Sequence, residues 1–143
     1  MDRKIVAELM MKNHNMMHKL AEKMNVMYEK KYSRHKIFAL IWLSKLGKKR
    51  LKDIAEHIGM SSSSLCVAFS ELEKEGLVLR EIDKSDRRNT YYFLSKEGKV
   101  VIANILEEIK AIILRILEPL KEDEIKEIAE ALSVINEILE KYL

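Results

Sequence analysis

The apolar positions of the first fifty residues repeat at helical spacing. Residues 5–31 contain neither Gly nor Pro and predict one long helix, with a break near residues 13–15 left open. Ser33 is placed to cap a second helix, and Gly47 is placed to end it. Between those two residues the segment 37–42 is apolar almost all round, which is typical of a helix packed centrally on several sides.

The next apolar residues form two short sets, one on each side of Gly59. Both sets follow the i, i+3, i+4, i+7 spacing of one helix face. Gly59 suits the left-handed position after the first helix, residues 61–64 suit the N-cap of the second, and Gly76 suits its end. Two short helices joined by a tight Gly-containing turn are the signature of a helix-turn-helix. The two sets are Leu51, Ile54, Ala55 and Ile58, and Leu65, Ala68, Phe69 and Leu72.

A strand-like pattern follows the helix-turn-helix. Residues 77–79 and 91–94 are β-prone, whereas residues 83–89 between them contain no apolar side chain. This pattern predicts a β-hairpin with a charged tip that projects from the body of the protein. Ser95 is placed to cap the long helix that comes next.

The C-terminal third predicts two helices with more apolar surface than one face needs. The first is expected to end at about Leu117, before Pro119, and the acidic residues 122–124 favour the first turn of the second. Surplus apolar surface is usually covered by a partner. Residues 1–31 and 99–143 are therefore predicted to form a homodimer interface, and burial inside a single helical bundle is the alternative.

Composition fits a mainly α fold with a small β-wing, in one domain spanning residues 1–143. With 4 Gly and 1 Pro the chain has few of the turn residues that all-β folds use. The single cysteine, Cys66, leaves no partner for an internal disulfide and favours a reducing, cytoplasmic location. No apolar run approaches the ~20 residues of a membrane span, and the first residues lack a signal-peptide core, so no membrane partner is expected.

Charge is distributed unevenly along the chain. Residues 31–98 carry 14 Lys and Arg against 9 Asp and Glu, whereas residues 99–143 carry 6 against 10. A basic middle segment favours a polyanionic partner, most often nucleic acid, although ordinary surface charge gives the same count. The sequence has no Gly-rich phosphate loop, nucleophile–base pair or evident pair of catalytic carboxylates, so neither an enzyme nor a cofactor is expected.

Residues 32–98 thus predict a winged helix-turn-helix whose second helix and wing tip face DNA. That helix fits the major groove, and its Ser-rich N-terminus offers hydroxyl and N–H groups to phosphates. An Arg on a projecting tip suits the minor groove, and Asp86 is placed to orient Arg88 through a charge-assisted hydrogen bond. The candidate DNA-binding residues are Ser61, Ser62, Ser63, Ser64, Cys66, Val67, Ser70, Lys52, Lys84, Asp86, Arg87 and Arg88.

Residues 51–98 resemble the MarR family of bacterial and archaeal transcription regulators. The family's helix-turn-helix is similar to residues 51–78, LKDIAEHIGMSSSSLCVAFSELEKEGLV. The family's wing pattern D-x-R…L-[ST]-x-x-G is matched by Asp86-Arg87-Arg88, five further residues, and Leu94-Ser95-Lys96-Glu97-Gly98.

The resemblance implies an obligate homodimer with intertwined first and last helices that binds a pseudo-palindromic operator in double-stranded DNA, commonly as a repressor. It implies that recognition helices enter successive major grooves, with Arg88 in the flanking minor groove and Asp86 as its orienter. It also implies release by an effector, which is a small molecule, a metal or an oxidant. The chain departs from the family at Cys66-Val67, where the recognition helix often carries Thr-Arg, so a candidate guanine contact is missing. Two alternatives therefore stay open, a protein-interaction module and a nonspecific DNA-binding protein.

Several further features have a functional and a plainer interpretation. Cys66 is a candidate redox sensor, but a small residue that faces DNA is favoured. His14, His18 and Glu22 share one helix face and form a candidate metal site, but a solvated or interface face is favoured. The methionines between positions 10 and 27 are a candidate ligand pocket, with dimer-core packing favoured. The basic run before the helix-turn-helix is interpreted either as a phosphate contact or as a solvated loop, and it comprises Lys45, Lys48, Lys49, Arg50 and Lys52.

Overall fold

The computed structural model describes residues 2–28 and 32–142, and it describes no side chain at position 21 or at positions 23–28. Within those residues the chain is mainly helical with a small antiparallel sheet, as predicted. It forms two compact units, Met1–Glu107 and Glu108–Leu143. The elements are α1 (Arg3–Tyr28), α2 (Arg34–Leu46), β1 (Lys49–Arg50), α3 (Leu51–Ile58), α4 (Ser62–Lys74), β2 (Val78–Ile82), β3 (Thr90–Leu94), α5 (Lys96–Leu117) and α6 (Glu122–Leu139).

Helix α1 begins after Asp2, whose carboxylate accepts a hydrogen bond from the backbone N–H of Lys4 at 3.0 Å. The helix continues through residues 13–15, so the alternative of a break there is wrong. Asn lowers helix propensity by less than ~1 kcal/mol, and the apolar spacing continues across this segment. The last predicted helical residues, 29–31, lie outside the described part of the chain. The exposed large apolar side chains among the described residues of α1 are Ile5, Val6, Leu9, Met10, Met11, Met16 and Met17.

The core of the N-terminal unit lies where α2, α3 and α4 pack on one another and on β3. Ser33 caps α2 by accepting a hydrogen bond from the N–H of Lys36, and Gly47 ends the helix at φ 68°, both as predicted. Helix α2 is packed on several sides, which confirms its predicted central position, although Phe38 remains 40% exposed. The largest fully buried side chains are Phe69, Leu40, Leu43, Ile54, Leu65, Leu72 and Val78.

The helix-turn-helix forms as the sequence predicts. Gly59 adopts φ 66° and ψ 23°, a left-handed conformation that residues with a Cβ rarely adopt. The N–H of Met60 donates to the carbonyl of Ala55 at 3.2 Å, which closes the end of α3. Ser61 then caps α4, because its hydroxyl oxygen accepts a hydrogen bond from the N–H of Ser64 at 3.2 Å. The direction of α4 is thereby fixed by the turn that precedes it.

The sheet has the strand order β1-β3-β2, and both neighbouring pairs are antiparallel. Strands β2 and β3 form the predicted hairpin. The sequence predicts a loop at residues 48–52, and β1 contradicts this expectation: Lys49 pairs with Tyr92 in β3. Arg50 pairs with Tyr91 in the same strand. A strand of two residues is too short to produce an alternating apolar pattern, so the sequence carries no signal for it.

Ser95 joins the end of the wing to α5. Its buried hydroxyl donates to the carbonyl of Gly76 at 2.6 Å and accepts from the N–H of Gly98 at 2.9 Å. The backbone N–H of Ser95 donates to the carbonyl oxygen of Leu77 at 3.0 Å. Ser95 is therefore the predicted cap of α5, and it also links the end of α4 and the start of β2 to that helix.

The C-terminal unit contains the end of α5, the turn around Pro119 and α6. Helix α6 begins with three acidic residues, as predicted, and the N–H of Lys121 donates to the carboxylate of Glu124 at 2.9 Å. No residue of α6 is buried, and its exposed apolar side chains include Ile128, Leu132, Val134, Ile135 and Ile138. Among the described helices, none has the length and apolar content that crossing a membrane requires.

Candidate nucleic-acid interface

Helix α4 separates its core-facing side chains from its exposed ones. Leu65, Ala68, Phe69 and Leu72 are buried, as the apolar spacing predicts. On the opposite side, exposed residues follow one another at i, i+4, i+7 and i+11, which is a continuous line along a helix surface. This line, called the outer stripe of α4, consists of Ser63, Val67, Ser70 and Lys74. Ser62 and Cys66 are also exposed and lie beside the stripe.

Serine hydroxyls cluster at the N-terminus of α4. Ser61 Oγ donates to Ser64 Oγ at 2.9 Å and lies 3.2 Å from Ser63 Oγ. Ser61 and Ser64 are therefore hydrogen-bonded to each other in the cap, whereas the sequence gives no reason to distinguish among the four serines. The first turn of α4 contains no acidic residue, so its positive dipole end is not compensated by a neighbouring carboxylate. Such a helix end favours a phosphate group.

The wing tip is ordered by its own hydrogen bonds. Asp83 accepts from the N–H of Ser85 at 2.9 Å and from its hydroxyl at 2.6 Å. These bonds hold the pKa of Asp83 below its usual value. The N–H of Asp83 donates to the carbonyl of Asn89, and the N–H of Asn89 donates to the carbonyl of Asp86. The loop between β2 and β3 is thus closed at its base and presents Lys84, Arg87 and Arg88 as exposed side chains.

Arg88 is held by Asp86 at the tip, as the sequence predicts. Its Nε lies 3.0 Å from Oδ1 of Asp86 and its Nη2 lies 3.2 Å from Oδ2, which is a two-point contact. The backbone N–H of Arg88 also donates to Oδ1 at 3.1 Å. The guanidinium contact, followed by this backbone bond, holds the pKa of Asp86 below its usual value. The Arg88 side chain is nevertheless 90% exposed, so it is oriented but still accessible.

The basic run around β1 is mostly engaged in local ion pairs. Arg50 donates from Nε and Nη2 to Asp53 at 2.8 and 3.0 Å, and from Nη1 to Asn89 Oδ1 at 3.4 Å. The guanidinium lowers the pKa of Asp53 and ties the base of the wing to the first turn of α3. Lys48 lies 2.7 Å from Glu81. Lys52 lies 3.9 Å from Glu56 and remains 80% exposed. Of the candidate phosphate contacts in this run, Lys52 is thus accessible and Arg50 acts mainly as a structural link.

A cluster of ion pairs between α2 and α4 was missed by sequence reasoning. The Lys36 ammonium lies 3.0 Å from Glu71 and also contacts Glu75, and the Lys36 side chain is only 14% exposed. The two carboxylates, Glu75 first, raise the pKa of Lys36. The cluster joins the first turn of α2 to the C-terminal half of α4. One signal was present: Glu71 and Glu75 are like charges at i, i+4, a spacing that destabilises a helix unless a cation lies between them.

Comparison with known proteins identifies the family. The model of the MarR family matches residues 33–90 of this chain. The HTH-type transcriptional regulator YfiV of Bacillus subtilis (strain 168) is 32% identical over 101 residues, which are 71% of this chain and 63% of that protein. The chain belongs to the MarR family. The HTH-type transcriptional repressor MdtR of the same organism is 31% identical over 93 residues, 65% of this chain and 60% of that protein.

A solved MarR-family structure has the same fold. The protein from Bacillus stearothermophilus aligns over 97% of this chain and 98% of its own, with a TM-score of 0.78 and 19% identity. The chain spans somewhat less than two thirds of the length of the two curated relatives. Those relatives are named as an HTH-type transcriptional regulator and an HTH-type transcriptional repressor.

Three weaker candidates, Cys66, the His14–His18–Glu22 face and the methionines of α1, stay hypotheses for this chain. Cys66 is an exposed free thiol on α4. His18 pairs with Glu22 at 3.4 Å, and no group of three or more potential metal ligands occurs among the described residues. The described methionines of α1 between positions 10 and 17 are more than half exposed, whereas the side chains of Met24 and Met27 lie outside the described part.

Proposed function

We propose that this chain binds double-stranded DNA as a homodimer and represses transcription from a pseudo-palindromic operator. The observation that carries the proposal is the two-point Arg88–Asp86 contact on an exposed wing tip. A side chain held in one orientation and yet 90% exposed has no use in the core, but it is prepared for a polyanionic partner. The outer stripe of α4 belongs to the same compact unit.

The dimensions and charges of the two elements support this partner. An α-helix with side chains is ~10–12 Å wide, and the major groove of B-DNA is ~12 Å wide. In the proposed complex α4 occupies the major groove and Arg88 enters the narrow, strongly negative minor groove. Lys52, Lys84 and Arg87 contact phosphates, which set the register without selecting sequence. The name of the relative MdtR supports repression rather than activation.

Exposed apolar surface supports the homodimer. Large apolar side chains are exposed along α1, α5 and α6. A soluble monomer rarely leaves so much apolar surface in contact with water. In the proposal, residues 1–31 and 99–143 provide the dimer interface and residues 32–98 the DNA-binding lobe. In the proposal, an effector releases the dimer from DNA.

Selection of binding sites from a random duplex pool, at physiological salt, tests the DNA-binding proposal. The expected result is an inverted repeat with half-sites one helical turn apart, ~10–10.5 bp from centre to centre. Enrichment of no motif, together with binding that falls steeply with salt, would indicate a nonspecific DNA-binding protein. Absence of any duplex binding would contradict the proposal and favour a protein-interaction module.

The homodimer has its own prediction. Light scattering of the purified chain at micromolar concentration is expected to give about twice the 16.8 kDa chain mass. The physical reason is burial of the apolar side chains on the terminal helices at ~25 cal/mol per Å². A monomer at this concentration would contradict the homodimer, and with it the expectation of an operator with two-fold symmetry.

A further inference from the structure

The outer stripe of α4 carries one apolar side chain that the fold does not use. Val67 is 60% exposed, whereas the residues on the other side of the helix are buried. Its neighbours along the stripe, Ser63 and Ser70, are polar, so Val67 is an isolated pair of methyl groups on a polar surface. An exposed β-branched residue in a helix gains nothing from core packing and has a lower helix propensity than Ala.

The rest of the stripe restricts how α4 can recognise bases. The sequence of α4, SSSLCVAFSELEK, contains no Arg, Asn or Gln. The two-point contacts that select guanine through Arg, or adenine through Asn or Gln, are therefore absent from this helix. Lys74 lies in the last turn of α4, and serine hydroxyls both donate and accept, so they discriminate weakly between bases. What remains for selection on this helix is the apolar surface of Val67.

The major-groove edge offers one feature that suits this surface. Thymine presents a C5-methyl group there, and apolar side chains contact it. Val67 is the sixth residue of α4, and residues in the N-terminal part of a recognition helix are the ones that reach base edges. Contact between the two groups removes apolar surface of both from water, which is favourable.

We propose that Val67 contacts the C5-methyl group of one thymine in each half-site and is the main base-selecting residue of α4. The proposal rests on the proposed function, because it assumes that α4 binds in the major groove of DNA. It predicts a recognition helix that selects thymine by a methyl contact, with the serines and the wing providing affinity without much selection.

Substitution of single thymines by deoxyuridine in the selected duplex tests the methyl contact. Deoxyuridine pairs as thymine does and lacks only the C5-methyl group. One thymine in each half-site is expected to be sensitive, with about a fourfold increase in Kd per half-site, the equivalent of exposing one methyl group. Replacement of that thymine by 5-methylcytosine, with guanine opposite, is expected to bind more tightly than unmethylated cytosine at the same position.

The Val67→Ala variant assigns the contact to this residue. Because Val67 is exposed, the variant is expected to fold, and its binding is expected to lose sensitivity to deoxyuridine at that one position only. Leu79→Ala, at an exposed apolar residue of β2 outside the candidate DNA-binding set, is the matched control and is expected to keep the sensitivity. A flat deoxyuridine scan, an unchanged scan in Val67→Ala, or a random pool without an enriched motif would overturn the inference while leaving DNA binding intact. Absence of duplex binding would overturn the proposed function as well.

Discussion

Arg88→Ala is expected to weaken binding to the selected duplex at least ~10-fold, or ~1.4 kcal/mol, without changing the mass of the protein in solution. The reason is the arrangement of the wing tip. Asp86 holds the Arg88 guanidinium at two points while the side chain stays 90% exposed, so little ordering is needed when it enters the minor groove. Titration of a labelled duplex at fixed salt measures the change.

Three matched variants separate orientation from charge. Arg88→Lys keeps the charge but loses the two-point contact with Asp86, and an intermediate Kd is expected. Asp86→Asn keeps the guanidinium and removes its partner, and it is also expected to be intermediate. Arg87→Ala removes an adjacent exposed charge. We expect this variant to lower the salt dependence of the Kd by the equivalent of about one phosphate contact, and to weaken binding less than Arg88→Ala does. An unchanged affinity in Arg88→Ala would refute the assignment of the wing to the minor groove.

The local parts of this fold could be predicted because their signals act within a few residues. The caps at Ser33, Ser61 and Ser95 each satisfy an N–H three residues later, and Gly59 supplies a left-handed turn. Such interactions depend on residue type and spacing alone. The Arg88–Asp86 pair belongs to the same class, since its partners are two residues apart.

Contacts between distant segments could not be predicted in this way. Lys36 with Glu75, and Arg50 with Asn89, each join residues 39 positions apart, and no spacing rule relates them. The Lys36–Glu75 contact depends on how α2 crosses α4. The Arg50–Asn89 contact depends on where β1 pairs with β3. The candidate DNA-binding residues were therefore predicted from their local pattern, whereas the contacts of Lys36 with Glu75 and of Arg50 with Asn89 were found only in the structure.

Gly98→Ala is expected to lower the free energy of unfolding by about 3 kcal/mol, although Gly→Ala inside a helix ordinarily raises it by up to ~1 kcal/mol. A Cβ at position 98 would overlap the carbonyl oxygen of Leu77 and lie 3.0 Å from its carbon. That oxygen cannot retreat freely, because it accepts the hydrogen bond from the N–H of Ser95 at 3.0 Å. Urea unfolding at a fixed protein concentration measures the loss.

Ala103→Gly calibrates the Gly98→Ala result on the same helix. Ala103 is exposed on α5, so its replacement is expected to cost ~1 kcal/mol through helix propensity alone. If Gly98→Ala were neutral or stabilising, α5 would not approach Leu77 closely, and the glycine of the L-[ST]-x-x-G pattern would have no steric role. If Gly98→Ala lowers the free energy of unfolding by more than Ala103→Gly does, the glycine of the L-[ST]-x-x-G pattern has a steric cause. Helix α5 can then follow the wing directly only where the residue three positions after its N-cap has no side chain. The same junction then connects the wing that carries Arg88 to the long helix that carries the exposed apolar surface.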